Sequence, residues 1–239
     1  MRVVIFAYDF PHRKAVELLP ALAELSASLP SPPVVIAAPR QELKTPRREW
    51  RVTDRGCYVE RIEVACRALG MQYHVAAHDS PECLLLLAAL NITHGAIVGA
   101  RILPPYIVDA VPGGILNLHP GLLPAMRGLD TIEWSIIKRV PLGVTAHVID
   151  HRIDMGRLIA RERIEVYADD TPRDAWLRLL GQQAAMFAPA LRAMIDGKIG
   201  QPIPDGPYHS YASPSQQHLA SWLWDSYRSD YSNLSADGL

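Results

Sequence analysis

The stretch Leu116-Asn117-Leu118-His119-Pro120-Gly121-Leu122-Leu123-Pro124 ends an apolar segment with two polar side chains and a proline-rich loop. Successive side chains of a β-strand alternate between its two faces, so Asn117 and His119 would point the same way. Pro120 and Pro124 restrict the loop that follows to extended or turn conformations. A buried strand that ends in an amide, an imidazole and a stiff loop is typical of a reaction site.

Short apolar runs alternate with amphipathic stretches through the first half of the chain. The runs are continuous, which indicates strands that are covered on both faces. The predicted strands are residues 2–7, 34–38, 72–76, 95–99 and 114–119. The predicted helices between them are residues 12–28, 58–69, 81–90 and 104–111. This alternation predicts an α/β fold with a Rossmann-like, doubly wound, mostly parallel sheet, in which ligands bind beyond the carboxyl ends of the strands.

The second half begins with a predicted helix at residues 131–139, followed by predicted strands at residues 143–149 and 158–166. Thr171-Pro172-Arg173-Asp174 combines a cap, a first-turn proline and an acid at the third position, and therefore predicts a helix start. Helical spacing continues to Gly197, with an expected kink at Pro189. We expect a catalytic domain over residues 1–200 and a C-terminal arm over residues 201–239. The arm is rich in aromatic residues and is expected to pack on the domain or on a second subunit, which suggests a possible homodimer.

Composition narrows the class of protein. The 239 residues carry 24 basic and 25 acidic side chains, a net charge of -1 that argues against a general nucleic-acid binder. Cys57, Cys66 and Cys83 are odd in number and lack metal-ligand spacing, which favours a reducing compartment and no metal site. Cys66 has core spacing. The start lacks secretory-signal features and the longest apolar run, residues 84–90, is too short to span a bilayer, so we expect a cytoplasmic protein without a membrane partner.

The predicted strand at residues 143–149 carries His147, and the polar loop 150–156 after it carries Asp154. If this strand lies beside the one that carries Asn117 and His119, an amide, an imidazole and a carboxylate converge on one cleft. Such a trio suits transfer of an acyl group to an amine. The imidazole or the carboxylate can take the proton that the amine loses, which is typically worth about 10²–10⁴-fold in rate. The amide can donate to the oxygen that becomes negative in the tetrahedral intermediate.

Each of these residues also has a structural explanation. A strand-end histidine such as His119 is, taken singly, more often structural than catalytic, and Asp154 before Met155-Gly156 is also typical of a turn. His147, in mid-strand, fits core packing as well as support of a site. Only the combination favours a reaction site.

The chain resembles the formyltransferase family through an ordered set of short motifs. They are Asn117-x-His119-Pro120-Gly121-Leu122-Leu123-Pro124, Arg127-Gly128, Gly143-Val144-Thr145-x-His147 and Asp154-x-Gly156. The resemblance is firm over about residues 95–169 and fades beyond about residue 200. It implies 10-formyltetrahydrofolate as co-substrate and catalytic roles for Asn117, His119 and Asp154.

The resemblance also implies binding residues. Those expected to contact the folate are Gly99, Ala100, Arg101, Ile102, Leu103, His147, Asp150, Ile153 and Gly156. Those expected near the second substrate are Tyr8, His12, Arg13, Pro120, Gly121, Arg127 and Gly128. His12 and Arg13 open a predicted helix, where positive charge and N–H groups favour anions, although ordinary surface charge explains them too.

Departures from the family pattern bear on the amine. Glycinamide ribonucleotide transformylase has a glycine-containing turn after its first strand to hold phosphate, whereas residues 7–12 here contain no glycine and one acid. Methionyl-tRNA formyltransferase has an additional C-terminal domain, and from the length of 239 residues we expect no such domain here. The segments 127–137 and 141–145 are most similar to sugar-nucleotide N-formyltransferases. The basic stretch 40–51 would suit a nucleotide diphosphate, or is simply a solvated loop.

We therefore expect an N-formyltransferase that acts on a primary amine, with the amino group of a nucleotide-linked amino sugar as the first candidate. Another small amine, such as a hydroxyornithine-like amino acid or glycinamide ribonucleotide, is the alternative substrate. A folate- or nucleotide-binding module without turnover and a hydrolase that releases formate are the alternatives from other classes.

Overall fold

The computed structural model describes residues 1–41 and 62–232. The strands in this part of the chain are β1 (Val3–Tyr8), β2 (Val34–Ala38), β3 (Gln72–Val75), β4 (His94–Ile97), β5 (Ile115–His119), β6 (Arg127–Gly128), β7 (Gly143–Val148), β8 (Arg157–Arg163) and β9 (Tyr208–His209). The helices are α1 (Arg13–Glu17), α2 (Leu19–Ser28), α3 (Ile62–Ala68), α4 (Pro81–Ala89), α5 (Pro105–Asp109), α6 (Thr131–Lys138), α7 (Pro172–Ile195) and α8 (Pro214–Ser232).

The main sheet has the order β3-β2-β1-β4-β5-β7-β8. Strands β1 to β5 are parallel, whereas β7 pairs antiparallel with both β5 and β8. The order of the strands reverses between β1 and β4, so the crevice expected in a doubly wound sheet opens at the carboxyl ends of these two strands. The predicted α/β fold with a mostly parallel sheet is confirmed.

Apolar side chains cover both faces of the sheet. One core cluster joins the sheet to helices α1, α2, α3, α6, α7 and α8. A second cluster joins the other face to α4 and α5, with Cys83, Leu87 and Ile107 fully buried. Cys66 is buried in the first cluster, as its spacing predicted, whereas Cys57 lies outside the described residues. Burial on two sides explains why the central strands have continuous apolar sequences.

The helix predicted over residues 12–28 is instead two helices, α1 and α2, that meet at Leu18. Pro20 provides the physical reason. It has no N–H for a helical hydrogen bond, and in a continuous helix its ring would clash with the carbonyl of Val16. Proline is tolerated in the first turn of a helix, and Pro20 occupies that place in α2.

Helix α7 begins where the sequence predicted. The side chain of Thr171 accepts from the Asp174 N–H at 3.3 Å, and the Asp174 carboxylate accepts from the Thr171 N–H at 2.8 Å. These reciprocal bonds satisfy amide groups that the first helical turn leaves without partners. The helix then extends to Ile195 as one element, so Pro189 does not divide it.

The described part of the predicted C-terminal arm packs on the rest of the chain. Strand β9 pairs with β6, and helix α8 packs against α6. Trp224 and Tyr227 are buried, and they donate hydrogen bonds to the carbonyls of Asp170 and Val140 at 2.9 and 2.7 Å. No helix among the described residues has both the length and the apolar character to cross a membrane.

Side chains from two helices hold the backbone of strand β5. The carbonyl of Leu118 accepts from Lys14 Nζ at 3.2 Å and from Gln183 Nε2 at 2.6 Å. Burial lowers the pKa of Lys14 to about 8, and no ion pair to Lys14 forms within the described residues. Two donors from α1 and α7 therefore hold the backbone between Asn117 and His119.

Lys14→Met should change how stability depends on pH. The ordinary lysine pKa is 10.5 and the folded-state value is about 8, so the unfolded chain holds more protons between these pH values. The free energy of unfolding of the parent protein therefore contains a part that rises with pH in this window, and the variant lacks it. Urea denaturation across the window measures the difference between the two proteins. A difference that does not change with pH would contradict the assigned burial of the ammonium group.

Candidate active site

The antiparallel pairing of β5 with β7 brings Asn117 opposite His147 and His119 opposite Thr145. Paired residues of neighbouring strands project from the same face of a sheet. Asn117 Nδ2 accordingly lies 3.2 Å from His147 Nε2, and the rings of His119 and His147 are 6.4 Å apart in an edge-to-face arrangement. The structure thus joins the predicted amide and imidazole to a second imidazole.

His147 is fully buried, and its hydrogen bonds define its tautomer. Nδ1 lies 2.8 Å from the carbonyl of Met155, which can only accept, so Nδ1 carries the proton. Nε2 is then the acceptor for an N–H of Asn117. Burial lowers the pKa of His147 to about 4, with His119 acting in the same direction. A neutral His147 therefore sets which way the Asn117 amide points and leaves its second N–H for another acceptor.

His119 and Asp154 form the second pair. His119 Nδ1 lies 3.3 Å from Asp154 Oδ1, and Nε2 lies 2.6 Å from the carbonyl of Met126. His119 is buried, and 14% of the Asp154 side chain is exposed. The carbonyl of Met126 can only accept, so Nε2 carries a proton, and Nδ1, which faces the carboxylate, is the ring nitrogen at which a second proton would be held.

The Asp154 carboxylate is held on two sides. Oδ2 accepts from the backbone N–H of Gly128 at 2.8 Å, while Oδ1 faces His119. Burial alone would raise the pKa of Asp154, but His119 and the Gly128 N–H more than offset this and hold the pKa below its ordinary value. The site therefore combines an ionised carboxylate with a neutral imidazole at His147.

Two glycines of the motifs are required by the backbone. Gly128 has φ +101°, and a Cβ there would lie 2.0 Å from the carbonyl oxygen of His209. Gly156 also has φ +101°, and a Cβ there would lie 2.0 Å from the carbonyl oxygen of Val148. Other residues rarely adopt this conformation and would clash here. These glycines let the chain approach closely on either side of Asp154.

The residues predicted to contact a folate lie on two neighbouring segments. Residues 99–103 follow β4, and residues 150–156 follow β7. His151 Nε2 bonds Asp109 of α5 at 2.7 Å, and Ala100 and Ile149 pack on the same core cluster. Ile102 is 70% exposed and Ile153 is 36% exposed. Ile153 directly precedes Asp154, so its side chain places apolar surface next to the carboxylate, a feature that suits a flat aromatic ring.

The residues predicted near the second substrate are only partly brought together. Tyr8 ends β1, and a Cβ on Gly99 would lie 2.7 Å from its ring, so Tyr8 adjoins the 99–103 segment. Arg13 bonds Glu17 at 2.7 Å along α1, a helix of five residues with little dipole to attract an anion. His12 occupies the N-cap position of this helix, without a capping hydrogen bond from its side chain, and its ring makes an edge-to-face contact with Tyr8.

The remaining predicted substrate residues belong to the loop after β5. The carbonyls of Pro120 and Gly121 accept from Thr131 and Thr145, and Pro120 is exposed. Arg127 makes four hydrogen bonds to other parts of the chain. Of the basic stretch 40–51, residues 42–51 lie outside the described residues.

Several contributors had no signal in the sequence. The carbonyls of Met126 and Met155 and the N–H of Gly128 act through the backbone, which any residue possesses. Lys14 and Gln183 are far from the motif along the chain and reach it only through packing. The part of the chain that the structure describes contains no group of three or more His, Cys, Asp or Glu residues placed to hold a metal ion.

Comparison with known proteins identifies the family to which the central part of the chain is similar. Residues 77–191, which include Asn117, His119, His147 and Asp154, match the family model described as Formyl transferase. A methionyl-tRNA formyltransferase from Heliobacterium modesticaldum is 30% identical over 193 residues, which cover 77% of this chain and 60% of that protein. Residues 77–191 therefore form a domain of the formyltransferase family.

Other relatives have different acceptors in their names. The chloroplastic phosphoribosylglycinamide formyltransferase of Arabidopsis thaliana is 30% identical over 105 residues, which cover 41% of this chain and 36% of that protein. The chain thus spans 60% and 36% of the lengths of these two curated relatives.

Solved structures share the fold at low identity. A sugar N-formyltransferase from a Shewanella species has a TM-score of 0.64 at 16% identity, over 93% of this chain and 87% of that one. A formyltransferase from Anoxybacillus kamchatkensis, in complex with UDP-4,6-dideoxy-4-formamido-L-AltNAc and tetrahydrofolate, has a TM-score of 0.57 at 20% identity, over 96% and 97%. Identities this low support the fold alone.

His147→Gln should remove part of the acid sensitivity of the protein. The histidine pKa is 6.5 ordinarily and about 4 in the folded state, so the unfolded chain binds more protons between these pH values. Stability in the parent protein therefore falls as the pH drops through this window, by about 3 kcal/mol from this residue. Urea denaturation at both ends of the window, compared with the variant, isolates the contribution. Equal losses in the two proteins would show that His147 is not held neutral.

Proposed function

We propose that the protein transfers a formyl group from 10-formyltetrahydrofolate to a primary amine, and that the amine belongs to a nucleotide-linked amino sugar. The observation that carries the proposal is the convergence of three side chains that are distant in the sequence. Asn117 and His119 project from one face of β5, where Asn117 bonds His147 and His119 faces the carboxylate of Asp154. The match of residues 77–191 to the formyltransferase family supports the reaction class.

The geometry supports different roles for Asn117 and for the His119–Asp154 pair. The Asn117 N–H that His147 leaves available donates to the formyl oxygen as it becomes negative, which is typically worth about 10²–10³-fold in rate. The attacking amine nitrogen loses a proton as its bond to the formyl carbon forms, and the His119–Asp154 pair receives that proton. The ionised Asp154 stabilises the imidazolium that results. The amine is the nucleophile, so no serine or cysteine is required.

The residues present fit a reduced folate. The exposed apolar side chains of Ile102 and Ile153 and the backbone of residues 99–103 and 150–156 would hold its ring system beside Asn117. 10-Formyltetrahydrofolate would supply the formyl carbon, and the proton received by the His119–Asp154 pair would pass to the folate nitrogen as its bond to that carbon breaks. Proton transfer and polarisation are the tasks of Asn117, His119 and Asp154.

Two observations favour a nucleotide-linked amino sugar as the acceptor. In the turn after β1, the rings of Tyr8, Phe10 and His12 contact one another, with Tyr8 and Phe10 stacked at 4.7 Å. A turn lined by rings differs from one that presents backbone N–H groups to a phosphate. The neighbouring Arg40 and Arg101 offer guanidinium groups that suit a diphosphate. The similar folds of sugar N-formyltransferases agree with this choice.

The test is a formylation assay with the whole chain. Purified protein is incubated with 10-formyltetrahydrofolate and a panel of amines, and products are identified by mass spectrometry. The panel contains nucleotide-linked amino sugars, glycinamide ribonucleotide and a hydroxyornithine-like amino acid. We expect an amide only with a sugar nucleotide. Formate release without any amine would instead indicate a hydrolase, and folate binding without product would indicate a binding module.

Asn117→Ala should lower turnover roughly 10²–10³-fold while leaving folate affinity almost unchanged, because the amide acts on charge that develops in the transition state. Steady-state kinetics give the turnover, and fluorescence titration with the reduced folate gives the affinity. Circular dichroism checks that the variant is folded. Equal losses of turnover and affinity would assign Asn117 to binding rather than catalysis.

A further inference from the structure

Arg127 connects the loop that carries Asp154 to the C-terminal part of the chain. Its Nε and Nη2 donate to the carbonyl of Ile153 at 3.3 and 3.1 Å. Its Nη1 donates to the Asp205 carboxylate at 2.6 Å and to the Gly206 carbonyl at 2.9 Å. Only 12% of the Arg127 side chain is exposed. Four of its five N–H···O directions are thus used within the protein, which leaves little for a substrate.

The conformation of Asp154 shows why such a connection is needed. Its φ is +49°, in the left-handed region that residues with a side chain rarely adopt. Such a residue persists when the surrounding structure holds it in place. Here Arg127 binds the carbonyl that precedes Asp154, and the N–H of Gly128 binds its carboxylate. Two consecutive residues of β6 therefore hold both the backbone and the side chain of Asp154.

Strand β6 is in turn held by residues that follow position 200. It pairs with β9, and the Leu129 N–H donates to the His209 carbonyl at 2.9 Å. Ile203 N–H donates to the Gly156 carbonyl at 2.8 Å on the other side of Asp154. Gly206 packs so closely that a Cβ there would lie 2.2 Å from the Pro124 carbonyl oxygen. Residues 203–209 thus contact β6, which binds Asp154, and also Gly156, which follows Asp154 in the loop.

We propose that Arg127 is a positioning residue that, supported by segment 203–209, holds Asp154 in the left-handed conformation that aims its carboxylate at His119. This inference rests on the proposed function only for its kinetic consequence. The structure that supports the site therefore extends past the boundary expected at residue 200, because residues 203–209 help to hold the proposed catalytic carboxylate. The inference also gives Arg127 a task different from the substrate contact that the family resemblance implies.

The test compares Arg127→Met, which removes all five donors but keeps an apolar stem, with Arg192→Met as matched control. Arg192 pairs with Glu24 of α2 at 2.7 Å, away from the site. The first readout is the pKa of the Asp154 carboxyl, followed by carbon NMR and assigned with Asp154→Asn. The second is kcat for formyl transfer. The third, thermal unfolding, reports whether each variant is folded.

In Arg127→Met we expect the pKa of Asp154 to rise toward its ordinary 3.8, since the carboxylate loses its alignment with His119 and Gly128. We expect kcat to fall about 100-fold, with a smaller change in KM. Arg192→Met should keep the parent pKa and a kcat within about twofold. An unchanged pKa with a raised KM for the amine would overturn the proposal and make Arg127 a substrate contact.

A second variant and the NMR measurement test the proposal if Arg127→Met does not fold or if the parent protein is inactive. If Arg127→Met does not fold, Gly206→Ala displaces segment 203–209 through its clash at Pro124 and should raise the pKa of Asp154 in the same way. An unchanged pKa in that folded variant would also overturn the proposal. If the parent protein shows no formyl transfer, the proposed function fails, whereas the NMR readout still decides the positioning role of Arg127.

Discussion

The antiparallel pairing of β5 with β7 is the constraint on which the site depends. It sets Asn117 against His147, so that a buried neutral imidazole orients the amide. It also makes the chain leave β7 beside the start of β5, where the Ile149 N–H donates to the Ile115 carbonyl at 3.0 Å. The loop 150–156 must therefore return across the face of the sheet to reach His119. That return brings Met155 onto His147 and Asp154 onto His119.

The environments of His147 and Asp154 favour different charge states. Burial favours the neutral form of His147, whereas His119 and the Gly128 N–H keep Asp154 ionised despite its burial. A neutral imidazole is suited to orienting an amide, and an ionised carboxylate is suited to stabilising a cation beside it. Environment thus holds both groups deprotonated, one neutral and one ionised, and perturbed pKa values of this kind are typical of functional sites.

The C-terminal segment contacts both the helices beside the main sheet and the loop that carries Asp154. Strand β9 and residues 203–206 contact β6 and the Asp154 loop, and α8 covers α6 with buried Trp224 and Tyr227. The amino-acid composition of this segment, which is rich in aromatic residues, differs from that of the sheet, and this is why the sequence suggested an arm. Its backbone contacts follow from tertiary packing, because hydrogen bonds between main-chain atoms leave no mark on residue identity.

The sequence by itself determined the strand–helix alternation and the doubly wound sheet, because burial on two faces selects continuous apolar runs. It also predicted Asn117, His119 and Asp154 as the catalytic trio, from the chemistry of their side chains. It misjudged the helix at residues 12–28, where Pro20 overrides amphipathic spacing. Only the tertiary structure decided that the trio meets, that His147 orients Asn117, and that Arg127 and residues after 200 support Asp154. These features depend on strand order and on backbone atoms brought together from distant parts of the chain, and local sequence patterns carry no information about either.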